Sequence, residues 1–221
     1  MTDLYLSRVT LRDEPPVAAL AAVLMPESDT SLNTDHRAVW SLFAAPDAER
    51  DFLWRKEDGR GCYMILSRRP PETCSPIFEV ETRPFEVALS PGDRLAFHLR
   101  VNATVARKNG PGRGKRHDVA MDLLRNNPAG ERAEHRDHLA EKAARAWLGR
   151  QSTGFTPEAV TLERYDTLEV PRKGRPARFG VFDLAGVLRV TDPEAFLVKL
   201  AEGYGRARAF GCGLMLIRRA I

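Results

Sequence analysis

Two halves of this chain repeat one order of strand-like and helix-like stretches. In the first half, alternating apolar and polar residues predict strands over 4–11 and 93–102. A helix is predicted over 33–44, because apolar residues recur there at helical spacing and a proline follows shortly after. Two stretches, 52–55 and 62–66, flank a glycine-containing turn and predict a hairpin. This order approximates the β-α-β-β-α-β pattern of a ferredoxin-like domain.

The second half repeats this pattern. Spacing and turn residues predict a helix over 132–150, strands over 160–170 and 178–190, a helix from Thr191 or Asp192 to about 202, and a last strand over 214–217. The second crossover of the first half is the weakest match, because residues 70–91 look irregular and partly extended. We therefore predict an α+β protein made of two tandem ferredoxin-like domains.

Glycine and proline at residues 110–112 predict the junction between these domains. The N-terminal domain is then expected at 1–105 and the C-terminal domain at 116–221, with a basic linker over 106–115. Of the 221 residues, 43% are hydrophobic, which is enough to build a packed core in each half.

Positive charge is concentrated in three short segments, although the net charge is only +4. The basic residues of these segments are Arg107, Lys108, Arg113, Lys115, Arg116, Arg172, Lys173, Arg175, Arg178, Arg206 and Arg208. Their charges together exceed the net charge, so the rest of the chain is acidic overall. Localised positive charge on an otherwise acidic protein favours a polyanionic partner. Solvated loop charge is the alternative for any one segment.

The sequence points away from membranes, disulfides and metals. The apolar run 17–25 is far shorter than the roughly 20 residues of a membrane helix, and without a signal-peptide pattern a cytoplasmic protein is expected. Three cysteines without C-x-x-C spacing predict neither a disulfide framework nor a thiolate metal site. His135 and His138 are one helical turn apart, but the mixed charges around them favour a solvated helix face. We expect no metal and no other cofactor.

Residues 203–214, with the sequence GYGRARAFGCGL, combine four glycines with two arginines. Glycine lets backbone N–H groups approach phosphate and arginine adds bidentate contacts, so the composition is typical of a phosphodiester-binding loop. A dinucleotide-binding loop needs a strand before it and a helix after it, and here the order is reversed. The remaining alternative is that Gly203, Gly205, Gly211 and Gly213 only shape a turn into an edge strand.

Five segments of the chain resemble signatures of one protein family. The pattern G-x-G-x-A-R/K-A-x-G-x-G-L over 203–214 resembles the glycine-rich signature of the CRISPR repeat-processing ribonucleases in the RAMP superfamily. Residues 1–9 resemble the family's opening strand, and RLAFHLRVN over 94–102 is similar to its R-x-x-F-x-L-R-x-N strand. AWL at 146–148 resembles a helix motif, and GVFDLAG at 180–186 resembles an F-x-G-x-L stretch. The spacing and length resemble the type I-E branch, called CasE or Cse3.

This resemblance implies two ferredoxin-like domains and cleavage of a CRISPR repeat hairpin at the base of its stem. The 2′-hydroxyl before the cut would attack the adjacent phosphate without a metal, leaving a 2′,3′-cyclic phosphate and a 5′-hydroxyl. The implied partners are the 3′ hairpin of the CRISPR RNA, retained after cleavage, and the other subunits of the type I-E Cascade complex. A basic hairpin over 169–178 is expected to lie along the RNA stem. The arginines and lysines of the three basic segments and the four glycines of residues 203–214 are the expected RNA-binding residues.

The resemblance also implies that His36 is catalytic, because the family's catalytic histidine lies on the first helix. Histidine suits proton transfer near neutral pH. From spacing alone, a core or half-buried histidine is the alternative, since His36 shares a helical face with Val39 and Phe43. Better-known relatives carry a tyrosine three residues earlier and one carries a lysine five residues later, where this chain has Asn33 and Ser41. The second catalytic residue therefore stays open, and a non-catalytic RNA-binding subunit is the alternative function.

Overall fold

A computed structural model describes residues 3–17, 32–43, 50–59, 61–108, 114–125, 127–170 and 176–220. The first half consists of β1 (Tyr5–Leu11), α1 (Leu32–Trp40), β2 (Phe52–Lys56), β3 (Cys62–Ser67) and β4 (Phe78–Pro84). The four strands form an antiparallel sheet in the order β2-β3-β1-β4. A short 3-10 helix, Ser41–Phe43, follows α1 directly.

The second half consists of β5 (Arg94–Val101), β6 (Thr104–Arg107), β7 (Lys115–Asp118), α2 (Val119–Leu124), α3 (Arg132–Gln151), β8 (Phe155–Val170), β9 (Ala177–Val190), α4 (Pro193–Glu202) and β10 (Met215–Arg219). Its main sheet has the antiparallel order β10-β5-β9-β8, and β6 pairs with β7 in a separate ladder. In both sheets the first strand lies between the third and the fourth, which is the ferredoxin-like order. The predicted α+β fold of two ferredoxin-like domains is confirmed.

The sheet to which β5 belongs corrects the sequence-based boundary. The sequence placed this strand in a first domain ending at residue 105, but β5 pairs with β9 and β10 of the second sheet. The change from one sheet to the other therefore lies between Pro84 and Arg94. Residues 110–112, the predicted junction, lie outside the described residues. Because β6 and β7 on either side of them pair with each other, that stretch connects two strands of the second half.

The crossover between β3 and β4 contains no helix in its described residues, 68–77. Three prolines, Pro70, Pro71 and Pro76, fall in it. Proline lacks the N–H that a helix interior needs and restricts the residue before it to extended conformations. The expectation of an irregular, partly extended segment is confirmed, and β4 is its extended part.

The first sheet is buried on both faces. Trp54 and Ile65 pack in a core with Val39 of α1. Their strand neighbours Leu53 and Leu66 point the other way and join the large core of the second half. This double burial holds α1 on one side of the sheet and the second half on the other.

Candidate active site

A buried carboxylate on α1 is bonded to two side chains of the first sheet. Asp35 is 7% exposed and accepts a hydrogen bond of 2.6 Å from the Tyr63 hydroxyl on β3. Lys56 Nζ on β2 lies 3.1 and 3.0 Å from the two carboxylate oxygens. A buried charge is tolerated when it is both paired and hydrogen-bonded. The network therefore holds the helix at Asp35 and positions the next residue, His36.

His36 lies half-buried at the edge of the core face of α1. Its ring centroid is 5.9 Å from that of Trp40, and the Trp40 ring is 5.5 Å from the Phe52 ring on β2. The Nε2 atom of His36 is buried and has no hydrogen-bond partner among the described residues. Burial, and to a smaller extent the positive charge of Arg50, hold the pKa of His36 below its ordinary value of 6.5. The imidazole is therefore neutral near pH 7, and one of its nitrogens can accept a proton.

An open cavity lies beside the His36 ring. It has a volume of about 360 Å³ and is lined by His36, Arg37, Trp40 and Ser41. The Ser41 hydroxyl donates a hydrogen bond of 2.7 Å to the Ala38 carbonyl, so it is directed to the helix backbone. The side chain of Asn33, the other position at which relatives differ, lies outside what the structure describes. His36 is thus half-buried in the core face and also borders a cavity, and its catalytic role stays a prediction.

Arg50 is a functional candidate that the sequence did not single out. Its guanidinium lies 5.7 Å from the centroid of the Phe52 ring. The Nε and Nη2 atoms are buried and make no hydrogen bond within the described part of the chain. Burial, and then the charge of Arg208, lower the pKa of Arg50, although an arginine remains charged at neutral pH. No motif marks this residue, because an arginine just before a predicted strand has no distinctive spacing.

The glycine-rich segment turns back against the elements that hold this site. Its 3-10 helix, Arg208–Phe210, packs against α1 and β2. The Arg206 N–H donates to the Asn102 carbonyl at 3.2 Å, and Arg208 Nη2 donates to the Gly203 carbonyl at 3.2 Å. Arg208 is consequently close enough for its charge to affect Arg50. The tertiary fold therefore brings together two arginines that lie far apart in the sequence.

The four glycines of this segment serve its conformation. Gly203, Gly205, Gly211 and Gly213 have φ angles of 78°, 64°, 74° and 98°, which residues with a side chain rarely adopt. A Cβ on Gly213 would lie 2.7 Å from the Tyr204 carbonyl oxygen. Three of the four, Gly203, Gly211 and Gly213, are buried against the protein's own chain. The close approach of these three is to protein atoms, whereas Gly205 is only half-buried, and the phosphate contact of all four stays a prediction.

Two of the predicted RNA-binding arginines are already paired with acids. Arg107 donates to Asp122 over distances of 2.6 to 3.2 Å. Arg178 donates to Glu169 at 2.6 Å. An exposed ion pair contributes little to stability, but the acid reduces the positive potential that an RNA phosphate would meet.

Apart from the half-buried Arg208, the other predicted cations are exposed or lie outside the described residues. Lys108, Lys115, Arg116 and Arg206 are exposed, and none of them forms an ion pair within the described chain. Lys115 lies opposite Arg107 across the β6–β7 ladder, which concentrates like charge at that end. The predictions for Arg113, Arg172, Lys173 and Arg175 fall on residues that the structure does not describe.

Neither a metal-binding cluster nor a membrane-spanning helix is found among the described residues. Among them, no three His, Cys, Asp or Glu side chains converge on a possible metal site. None of the described helices is long and apolar enough to cross a membrane. His135 of α3 lies 4.0 Å from Glu131, an i,i+4 pair on a partly exposed helix face.

The chain is similar in sequence to known CRISPR proteins. The chain matches the family model "CRISPR associated protein" over residues 4–219. It is 31% identical over 191 residues to the CRISPR-associated endoribonuclease Cse3 of Thermus thermophilus, with 79% of this chain and 82% of that protein covered. It is 28% identical over 190 residues to the CRISPR system Cascade subunit CasE of Escherichia coli (strain K12), with 81% and 88% covered.

Solved structures agree with the sequence matches. A structure of the CRISPR endoribonuclease Cse3 bound to a 19-nucleotide RNA has a TM-score of 0.69 at 25% identity, covering 97% of this chain and 99% of that one. Cas6e from Escherichia coli K-12 has a TM-score of 0.64 over 98% and 100% of the two chains, and at 23% identity it supports the fold alone. Because the family model spans nearly the whole chain and the relatives agree with it, this chain belongs to the CasE/Cse3 family of type I-E CRISPR-associated proteins.

Proposed function

We propose that this protein is a metal-independent endoribonuclease that cleaves CRISPR repeat RNA at the base of the repeat hairpin. The observation that carries the proposal is His36, which is neutral near pH 7, borders an open cavity and lies on a helix fixed by Asp35. The similarity to a protein named endoribonuclease Cse3, and to an RNA-bound Cse3 structure, supports an RNA substrate.

The proposed reaction is an internal transfer at phosphorus. The 2′ oxygen of the nucleotide before the cut bonds to the adjacent phosphorus, and the bond from phosphorus to the 5′ oxygen breaks. A base removes the proton of the 2′-hydroxyl, and an acid gives a proton to the departing 5′ oxygen. The products are a 2′,3′-cyclic phosphate and a 5′-hydroxyl, and the balance requires neither water nor a metal ion.

His36 suits the role of the base in this scheme. A base must be unprotonated at the working pH, and burial together with Arg50 favours the neutral imidazole. Ser41 is a poor substitute for a charged group at its position, because its hydroxyl donates to the Ala38 carbonyl.

We also propose that the enzyme keeps the 3′ hairpin of its product and acts as a Cascade subunit. The stem lies on one side of the cut, so contacts to it survive cleavage and turnover should be single. Exposed cations that pair with no acid among the described residues, such as Lys115 and Arg116, are suited to the phosphates of that stem. An A-form stem is recognised mainly by shape and backbone contacts. The similarity to a protein named Cascade subunit CasE supports the assembly.

Cleavage of a labelled repeat RNA in EDTA tests the proposal. Wild-type protein should cut it, and His36→Ala should lose about 3 to 5 kcal/mol of transition-state stabilisation while hairpin affinity stays within a few-fold. His138→Ala, a change at an exposed histidine on α3, is the matched control and should cut at the wild-type rate. RNA with a deoxynucleotide before the cut should stay intact, because its nucleophile is missing.

Three outcomes would contradict parts of this proposal. Undiminished cutting by His36→Ala would remove His36 from the mechanism, and cutting of the deoxy-substituted RNA would indicate hydrolysis instead of internal transfer. A wild-type protein that shifts the RNA in a gel without cutting it would favour the non-catalytic RNA-binding subunit. The specific observation behind that alternative is the presence of Asn33 and Ser41 where relatives carry tyrosine and lysine.

A further inference from the structure

We propose that Arg50 is the cationic residue that contacts the phosphate being cleaved, next to His36. This inference rests on the proposed function. The experiment below can contradict the role of Arg50 while the proposed function stands. Arg50 lies outside the three basic segments and outside residues 203–214.

Ring contacts that run from α1 to Phe52 on β2 define the position of Arg50. The His36 ring is 5.9 Å from the Trp40 ring, Trp40 is 5.5 Å from Phe52, and the Arg50 guanidinium is 5.7 Å from the Phe52 centroid. The two aromatic rings thus connect the imidazole to the guanidinium. The lowering of the pKa of His36 by Arg50 agrees with a short separation, because Coulomb effects weaken with distance.

Two hydrogen-bond donor atoms of Arg50 have no partner in the described part of the chain. Its Nε and Nη2 atoms are buried and have no acceptor within the described residues. Buried charged donors without a partner are unfavourable, and the planar guanidinium fork matches a carboxylate or a phosphate. The neighbouring carboxylate of Asp51 is engaged instead by Arg69 Nε at 2.9 Å. Buried donors that have no acceptor within the described part of the chain indicate an anion from outside the chain.

A second guanidinium strengthens the case for an anion. Arg208 lies on the 3-10 helix that packs against α1 and β2, and its charge disfavours the charged form of Arg50. Two like charges held at partly buried positions repel each other, and a bound phosphate relieves that repulsion. The acid on the same helix as His36, Asp35, is already satisfied by Tyr63 and Lys56.

In the proposed reaction Arg50 neither gives nor takes a proton. Its N–H groups hydrogen-bond a non-bridging oxygen of the scissile phosphate, on which negative charge grows as the 2′ oxygen attacks. Fixed donors aimed at such developing charge stabilise the transition state more than the ground state. Loss of Arg50 should therefore slow cutting more than it weakens hairpin binding.

Single-turnover cutting at saturating enzyme tests this role with Arg50→Gln and Arg50→Lys. Arg50→Gln should cut roughly 10² to 10³ times more slowly than wild type, with hairpin affinity within a few-fold. Arg50→Lys should recover part of the rate, since it restores the charge without the fork. The matched control is Arg69→Gln, because Arg69 also lies over a ring of this core, 5.5 Å from the Phe43 centroid, but is satisfied by Asp51 and the Phe43 carbonyl. Arg69→Gln should cut at the wild-type rate at temperatures where it is folded.

NMR titration of His36 adds a readout that a purely structural role would not change. Removing the charge of Arg50 should raise the pKa of His36 towards its ordinary value, because that charge disfavours the imidazolium. Arg69→Gln should leave the titration of His36 unchanged.

The outcomes separate the two proposals. If wild type cuts and His36→Ala does not, but Arg50→Gln cuts within twofold of wild type, the inference about Arg50 is wrong and the proposed function stands. Equal slowing by Arg50→Gln and Arg69→Gln would also overturn it, since both would then act through the packing of this core. A wild-type protein that does not cut overturns the proposed function and this inference with it.

Discussion

Two buried tyrosines offer a direct measurement of what holds the His36 helix in place. Tyr63 and Tyr204 are both 0% exposed, and burial raises the pKa of each phenol. They differ in their hydroxyl groups: that of Tyr63 donates to Asp35 at 2.6 Å, whereas that of Tyr204 has no partner among the described residues. Replacing each with phenylalanine removes the same single oxygen from two different environments.

We expect Tyr63→Phe to lower the free energy of unfolding by about 1.5 to 3 kcal/mol, the range for a hydrogen bond to a charged group. The loss should not exceed this range, because Lys56 still pairs with the Asp35 carboxylate. For a chain of this size, each kcal/mol corresponds to about 2 to 4 °C of melting temperature, so the melting temperature should fall by roughly 3 to 12 °C. Tyr204→Phe removes a buried hydroxyl without a partner and should be neutral or stabilising by up to about 1 kcal/mol.

Urea denaturation of both variants, with the slope of free energy against urea compared to wild type, measures these differences. Single-turnover cutting by folded Tyr63→Phe should also slow, because Asp35 and His36 are adjacent on α1. Equal destabilisation by the two substitutions would refute the reasoning, since the hydrogen bond to Asp35 would then contribute nothing beyond the burial of a phenol.

Four further predictions follow from the described contacts. Gly205→Ala should lower the free energy of unfolding, measured by chemical denaturation, by about 2 to 4 kcal/mol, because its Cβ would lie 2.7 Å from a carbonyl oxygen. Gly92 also has a positive φ but has no atom within 4 Å, so Gly92→Ala should lose only the smaller cost of the backbone conformation. Asp192→Ala should cost about 0.5 to 2 kcal/mol, since this carboxylate accepts the Ala195 N–H at the start of α4; a loss near zero would mean that the cap is dispensable. Lys115→Glu combined with Arg116→Glu should weaken hairpin binding and flatten the plot of log affinity against log salt by about one to two contacts, and an unchanged slope would place the stem elsewhere. The folded chain should bind a proton at His36 less readily than the unfolded chain, because the pKa of His36 is lowered in the fold. His36 should therefore destabilise the fold at low pH and cease to do so as the pH rises through 6.5. His36→Gln should reduce that pH dependence in denaturation curves.

Local patterns were sufficient for most of the long elements. Alternation predicted β1 and β5, and helical spacing with a following proline predicted α1, because side-chain direction along a strand or helix repeats with a fixed period. The resemblance to the family suggested a catalytic role for His36, and the glycine-rich motif suggested RNA binding by Arg208; both roles stay predictions. The order of elements was in turn enough to predict two ferredoxin-like domains, although not which sheet β5 joins.

Sheet membership and the convergence of charged groups depended on the tertiary structure. Alternation along β5 is the same whichever sheet it joins, and only its pairing with β9 and β10 decided that it belongs to the second half. The same holds for Arg107, whose charge the sequence counted as free although Asp122 pairs with it.

The sequence by itself determined where strands, turns and the histidine-bearing helix occur, since these depend on neighbours a few residues away along the chain. Only the tertiary structure decided that Arg50 lies near His36 and Arg208, and that three of the four glycines face protein instead of solvent. The physical reason is that burial, pKa and ion pairing are set by neighbours in space. Here those neighbours come from α1, the chain just before β2 and the segment after α4. His36 and Arg208 are separated by 172 residues along the chain.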